Sequence, residues 1–107
     1  MVLEKKIERK ACQDILYQIG VPNAKLVTPG RRGFPDRIFW MPGGKPLLIE
    51  FKVPGEEATP LQQHIHGWLK RLGYQVEVCD NVEEAINAVR CAMDSTALPT
   101  HGGAVPT

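Results

Sequence analysis

The segment Leu47-Leu48-Ile49-Glu50-Phe51-Lys52-Val53 places two charges inside a run that otherwise belongs in a core. Side chains alternate across a strand, so Glu50 and Lys52 share one face while Ile49, Phe51 and Val53 take the other. Charges on a central strand are costly to desolvate unless they are paired or bind a cation. For these two residues alone, an edge strand with an i, i+2 ion pair on a solvated face explains the pattern equally well. Asp36 changes the balance. It follows Gly33-Phe34-Pro35, where the proline keeps the chain extended and leaves a carboxylate at the mouth of a second strand. If Pro42-Gly43-Gly44 closes a hairpin centred near Gly43, Asp36 lies opposite Glu50. Two carboxylates that close repel, so they require a cation between them or a raised pKa in one. Oxygen ligands without histidine or thiolate favour Mg²⁺ or Mn²⁺ over zinc. Lys52 is then placed to polarise a water molecule or to offset charge on a reacting phosphate.

Another carboxylate comes from the first helix. Leu3, Ile7, Ala11, Ile15, Leu16 and Ile19 fall on one broad face of residues 3–19, and Glu4 and Glu8 lie within the same arc. Acidic residues on a core-facing stripe are unusual unless the helix passes over something positive. Stabilisation of the helix N-terminus accounts for Glu4. Glu8 is too far into the helix for that, which makes it the expected outer-sphere ligand or water holder.

The elements that must position these groups follow from periodicity and punctuation. Gly20-Val21-Pro22 stops the first helix. Residues 24–28 read as a short strand, 29–33 as a loop, 36–41 as a second strand and 46–53 as a third, apolar enough to be central. Thr59-Pro60-Leu61-Gln62 has the form of a capping box with proline at the first helical position. That helix carries Leu61, Ile65, Trp68, Leu69 and Leu72 on one side and ends at Gly73. Residues 75–79 alternate as a fourth strand, and Asn81 caps a last helix that buries Val82, Ala85, Ile86 and Val89. From Ser95 onward periodicity is lost, so residues 1–94 form the expected domain and 95–107 a disordered tail. The order αβββαβα describes a mixed α/β sheet covered by helices.

Composition sets the class. At 107 residues, 43% hydrophobic and 23% charged, the chain fits one soluble globular domain and excludes wholesale disorder. No apolar run is long enough to span a bilayer, and the start lacks the apolar stretch of a signal peptide, so a cytoplasmic protein is expected. Cys12, Cys79 and Cys91 are odd in number and lack C-x-x-C spacing, as in reduced thiols. The net charge of +1 does not itself point to nucleic acid. Lys25, Arg31, Arg32 and Arg37 nevertheless cluster into a patch that can contact phosphates, although a solvated basic loop has the same composition.

Other chemistry-bearing residues read more plainly. His64 and His66 are two apart on a helix and point to different faces, so they do not clasp one metal and are expected to face solvent. Trp68 sits on the apolar stripe and is expected in the core. Phe39 and Trp40 alternate, one for the core and the other available to an interface. Gln62 has two readings, a contact to the site or simply the second half of the capping box.

Asp36 followed by Glu50-Phe51-Lys52, with Pro35 before the aspartate, resembles the PD…ExK signature of the PD-(D/E)XK nuclease superfamily. Five surrounding features resemble one branch of it, the virus-type replication-repair nuclease (VRR-NUC) domain. These are the Glu4/Glu8 helix, the run from Thr28 to Arg37, the Pro42-Gly43-Gly44 turn, Ile49-Glu50-Phe51-Lys52, and Leu61-Gln62 at the next helix. The likeness covers roughly residues 3 to 90. It implies an αβββαβ restriction-endonuclease-like core and Mg²⁺- or Mn²⁺-dependent hydrolysis of DNA phosphodiesters, leaving 5′-phosphate ends. The implied catalytic set is Asp36, Glu50, Lys52 and a helix glutamate, Glu8 or Glu4, with the metal on Asp36, Glu50 and the Phe51 carbonyl. Arg31, Arg32, Arg37 and Gln62 are the implied DNA contacts. Free-standing chains of this type imply a homodimer that cuts branched DNA, Holliday junctions above all, in a bacterial or phage-infected cell. A monomeric flap or nick nuclease is the near alternative, and an inactive DNA-binding module the alternative from another class. A sequence-specific cutter would need a base-reading element, and none is evident.

Overall fold

The computed structural model describes residues 3–97. Helix α1 (Leu3–Ile19) buries Ile7, Glu8, Ala11, Cys12 and Ile15, while Leu3 and Leu16 stay half exposed. Its end is a glycine stop. Gly20 takes a φ of 82°, and its N–H bonds back to the Ile15 and Leu16 carbonyls.

Strands β1 (Asn23–Lys25), β2 (Arg37–Phe39), β3 (Leu47–Phe51) and β4 (Gln75–Cys79) form one sheet in that order. The first three are antiparallel neighbours, and β4 runs parallel to β3. The first three strands are shorter than their sequence patterns, whereas β4 spans the expected 75–79. Beyond Lys25 the chain makes one more bond, Leu26 N–H to the Asp36 carbonyl, before Thr28 and Arg31 close a turn that leads it away. Between β2 and β3, Arg37 pairs with Ile49 and Phe39 with Leu47, so one step outward Asp36 stands across from Glu50. The turn reaches that register because Gly43 and Gly44 both adopt positive φ, 92° and 81°.

Helix α2 (Pro60–Arg71) makes the crossover from β3 to β4. Thr59 accepts the Gln62 N–H, and the Gln62 side chain accepts the Thr59 N–H, giving the complete capping box. Helix α3 (Val82–Ala97) follows β4, with the Asn81 side chain accepting the Glu84 N–H at 2.8 Å. It continues through Ala97, past the expected tail boundary at Ser95. The rest of the expected tail, 98–107, lies outside the described residues.

The two faces of β3 divide the core. Leu47, Ile49 and Phe51 pack with Phe39, Ile7, Ala11, Ile15, Ala85 and Val89 beneath α1 and α3. On the opposite face Leu48 packs with Ile65, Leu69 and Val76 under α2. Each fully buried large side chain stabilises the fold by about 1.5–3 kcal/mol, so the strand carrying Glu50 is anchored from both sides. Among the described residues no helix is long and apolar enough to cross a membrane.

Candidate active site

Alternation along β3 puts Glu50 on the α2 face, and it is only 2% exposed. Its Oε2 accepts a 2.9 Å hydrogen bond from Gln62 Nε2 and lies 3.9 Å from Lys52 Nζ. Gln62 therefore holds both places open to it, capping α2 and bonding Glu50. Lys52 is itself buried and follows β3 directly, its N–H bonded to the Cys79 carbonyl at 2.9 Å.

Asp36 is fixed by backbone on both sides. Its N–H bonds to the Ile49 carbonyl at 3.0 Å, and its Oδ2 accepts the Phe51 N–H at 2.8 Å. This second bond sets the Phe51 backbone against the carboxylate. The ring of Phe51 is fully buried on the other face and locks that arrangement. Burial pushes the Asp36 carboxyl up to about 6, the nearby Glu50, Glu8 and Glu4 charges add to the rise, and the Phe51 N–H opposes it.

The helix glutamate that joins this pair is Glu4. Oxygens of Glu4, Asp36 and Glu50 lie within 4.8 Å of one another. Burial also raises the Glu4 carboxyl, with Lys52 opposing and Glu50, Glu56 and Glu8 reinforcing. Glu8, expected to fill this place, is instead engaged by cations. Its Oε2 accepts from Arg37 Nε at 2.7 Å and lies 3.6 Å from Lys25 Nζ. Arg37, expected at DNA, is thus held by Glu8, with Nη1 also 3.5 Å from Asn23 Oδ1.

Two further expectations are corrected. His66 does not face solvent: it is 5% exposed, with Nε2 3.7 Å from Glu50 Oε1. It lies four residues after Gln62 and so on the same helix face, a spacing that carried the signal once Gln62 was placed at the site. His64 is exposed, as expected. Trp68 is 38% exposed rather than core, because the side of α2 it occupies meets the 29–33 loop. The Arg31 guanidinium lies 5.7 Å from the Phe34 ring centroid and 5.9 Å from that of Trp68. Arg31 and Arg32 are both exposed, Phe39 is fully buried, and Trp40 is half exposed. Cys12 and Cys79 are buried free thiols, raised to about 11 and about 12 by desolvation, and Cys91 is exposed.

Three clustered carboxylates, two of them raised by burial, fit a hard divalent cation. The Oε1 of Glu50 adds to that fit, being buried without any hydrogen-bond partner.

The VRR-NUC domain profile matches residues 5–83. The chain belongs to the VRR-NUC family. It is 42% identical over 81 residues to "Putative nuclease p44" of Acyrthosiphon pisum secondary endosymbiont phage 1, covering 76% of this chain and 86% of that one. A solved structure titled "VRR_NUC domain" superposes with a TM-score of 0.71 over 81% of this chain and 94% of its own, at 23% identity. That likeness shows the fold, a mixed α/β sheet consistent with the PD-(D/E)XK type. Among VRR-NUC features, the register of β2 against β3 and the crossover helix α2 bring the PD…ExK residues together here. The family makes this chain a nuclease domain.

Proposed function

We propose that the chain is a Mg²⁺- or Mn²⁺-dependent DNA endonuclease that cuts branched DNA, four-way junctions foremost, as a homodimer. The observation that carries this reading is the Glu4, Asp36 and Glu50 cluster with Lys52 beside it. Asp36, Glu50, Glu4 and the Phe51 carbonyl would hold the metal. Once bound, the cation would lower the pKa of a water molecule and offset charge developing on the phosphate. Lys52, held against Glu50, orients that water and draws the scissile phosphate toward it. Gln62 keeps the Glu50 carboxylate from turning. Arg31 and Arg32 contact the DNA backbone, and the stacking of Arg31 on Phe34 and Trp68 presents its charge on a fixed loop. Glu8 acts indirectly, keeping Arg37 and Lys25 at the border of the site. Two-fold symmetry would give a dimer two active sites for the two opposed cuts that resolve a junction, with the exposed Trp40 as apolar surface for the contact. The place of action we propose is the cytoplasm of a bacterium or an infected host.

The test is cleavage of four-way junction, flap, nicked and linear DNA with Mg²⁺, with Mn²⁺ and with chelator, alongside mass in solution. Junction cutting by a dimer, abolished by chelator and by Lys52→Ala while DNA binding persists, supports the proposal. A monomer that cuts only flaps would replace the resolvase reading. Binding without cleavage under every metal condition would leave a DNA-binding module.

A further inference from the structure

Glu50 is held from several directions, and one of them has no part in the reading above. Gln62 and Lys52 both approach Oε2. Oε1 is enclosed and has no hydrogen-bond partner, and the atom it meets, His66 Nε2 at 3.7 Å, is likewise enclosed and without one. Among the described residues these are the buried side-chain polar atoms left unsatisfied in this way. Leaving such groups unpaired is costly, and here they adjoin as a potential donor and a potential acceptor. The separation is longer than a hydrogen bond. Hydrogen bonds within an active site commonly tighten as the site is filled.

We infer that His66 is a positioning residue for the metal site, donating its Nε2–H to Glu50 Oε1 when the carboxylate cluster takes up a divalent cation. The inference rests on the metal-centre reading of Glu4, Asp36 and Glu50. Helix α2 then grips the carboxylate through both oxygens, Gln62 on Oε2 and His66 on Oε1, four residues apart on one face. A carboxylate held at both oxygens cannot rotate about its terminal bond, so its remaining lone pairs stay directed at Asp36 and Glu4. Groups that orient a metal-binding side chain in this way typically change metal affinity 10- to 100-fold when removed, an order-of-magnitude range. A space-filling role for His66 between α2 and the sheet predicts a different outcome, because an apolar side chain of similar volume would serve as well.

The experiment measures Mn²⁺ affinity of the full chain without DNA, by electron paramagnetic resonance of free Mn²⁺, for wild type, His66→Leu, His66→Gln and His66→Ala. Circular dichroism checks the fold of each. His66→Leu keeps the volume and removes the donor, and about 10- to 100-fold weaker Mn²⁺ binding is expected. His66→Gln restores an N–H and is expected to bind within about threefold of wild type. If His66→Leu does not fold, His66→Ala takes its place, with the same weakening expected. Leu or Ala variants that bind Mn²⁺ as tightly as wild type overturn the inference, as does a Gln variant as weak as the Leu variant. Wild-type protein that fails to bind Mn²⁺ at millimolar concentration refutes the metal centre itself, a distinguishable failure.

Discussion

Asp36 makes the metal-free protein's stability depend on pH in a direction opposite to that of an ordinary ion-paired carboxylate. Its carboxyl rises from 3.8 to about 6, chiefly through burial. One pKa unit corresponds to about 1.4 kcal/mol, so the full shift would correspond to about 3 kcal/mol. Asp36 is only partly buried, and solvent screening reduces this to about 1–2 kcal/mol. The folded state holds the proton more tightly than the unfolded state, so ionised Asp36 is a cost above about pH 6. That cost shrinks as pH falls and vanishes below the unfolded value near 3.8. Glu4, also raised, acts in the same direction. Asp36→Asn keeps an oxygen for the Phe51 N–H and removes the charge. At pH 7.5 without metal it is expected to be about 1–2 kcal/mol more stable than wild type, or about 5–10 °C in Tm for a domain of this size. The gap should shrink to about a third of that at pH 4.5 and close only below the unfolded value near 3.8. Adding Mn²⁺ should reverse the order at pH 7.5, raising the wild-type Tm and leaving Asp36→Asn nearly unchanged, because a cation between the carboxylates removes their repulsion. Thermal unfolding by circular dichroism at both pH values, with and without Mn²⁺, measures all of this. A wild-type protein and Asp36→Asn that track each other across the pH range would refute the reasoning.

Gln62→Ala removes both the cap contact and the bond to Glu50, whereas Thr59→Ala weakens the cap alone. Both are expected to lose about 1 kcal/mol in urea unfolding, but only Gln62→Ala should raise the metal concentration for half-maximal cleavage. Gly33→Ala is expected to destabilise by about 1–3 kcal/mol by the same measurement. Gly33 has a φ of 90°, and an added Cβ would sit 2.9 Å from Ile65 Cγ1, displacing the loop that leads into Asp36. Arg31→Ala should weaken DNA binding across all sequences and lower the slope of log affinity against log salt by about one, read by fluorescence anisotropy.

The paired carboxylates were legible because strand pairing depends on counting alone. A turn centred on Gly43 pairs positions whose numbers are symmetric about it, and that sets Asp36 across from Glu50. The choice between Glu4 and Glu8 was not legible. Periodicity gives the angle around a helix and says nothing about height against the sheet. Four residues are about 6 Å of rise, enough to carry Glu8 away from Glu50 and beside Arg37 and Lys25. His66 escaped for a related reason. The i, i+2 spacing correctly sent His64 and His66 to different faces, but only the packing of α2 over β3 shows that one of those faces covers Glu50. Trp68 shared the apolar stripe of α2, yet the packing opposite it is the Arg31 loop and not a core layer.

These misses share a physical cause that also explains how the site is tolerated. Raised carboxyls at Asp36 and Glu4 show that the cluster is held together against repulsion and desolvation. Such a cluster persists only where the surrounding structure over-determines it. Here that structure is β3, with Leu47, Ile49 and Phe51 locked beneath α1 and α3 and Leu48 beneath α2. The same packing prevents Glu50 from swinging out to water, and it places α2 directly above that carboxylate. Side chains of α2 that cover a buried carboxylate must offer it hydrogen bonds, which is the role of Gln62 and the opening for His66. The apolar stripe of a helix can be read from sequence, but the partners of a buried charge come from whichever element the core packs over it.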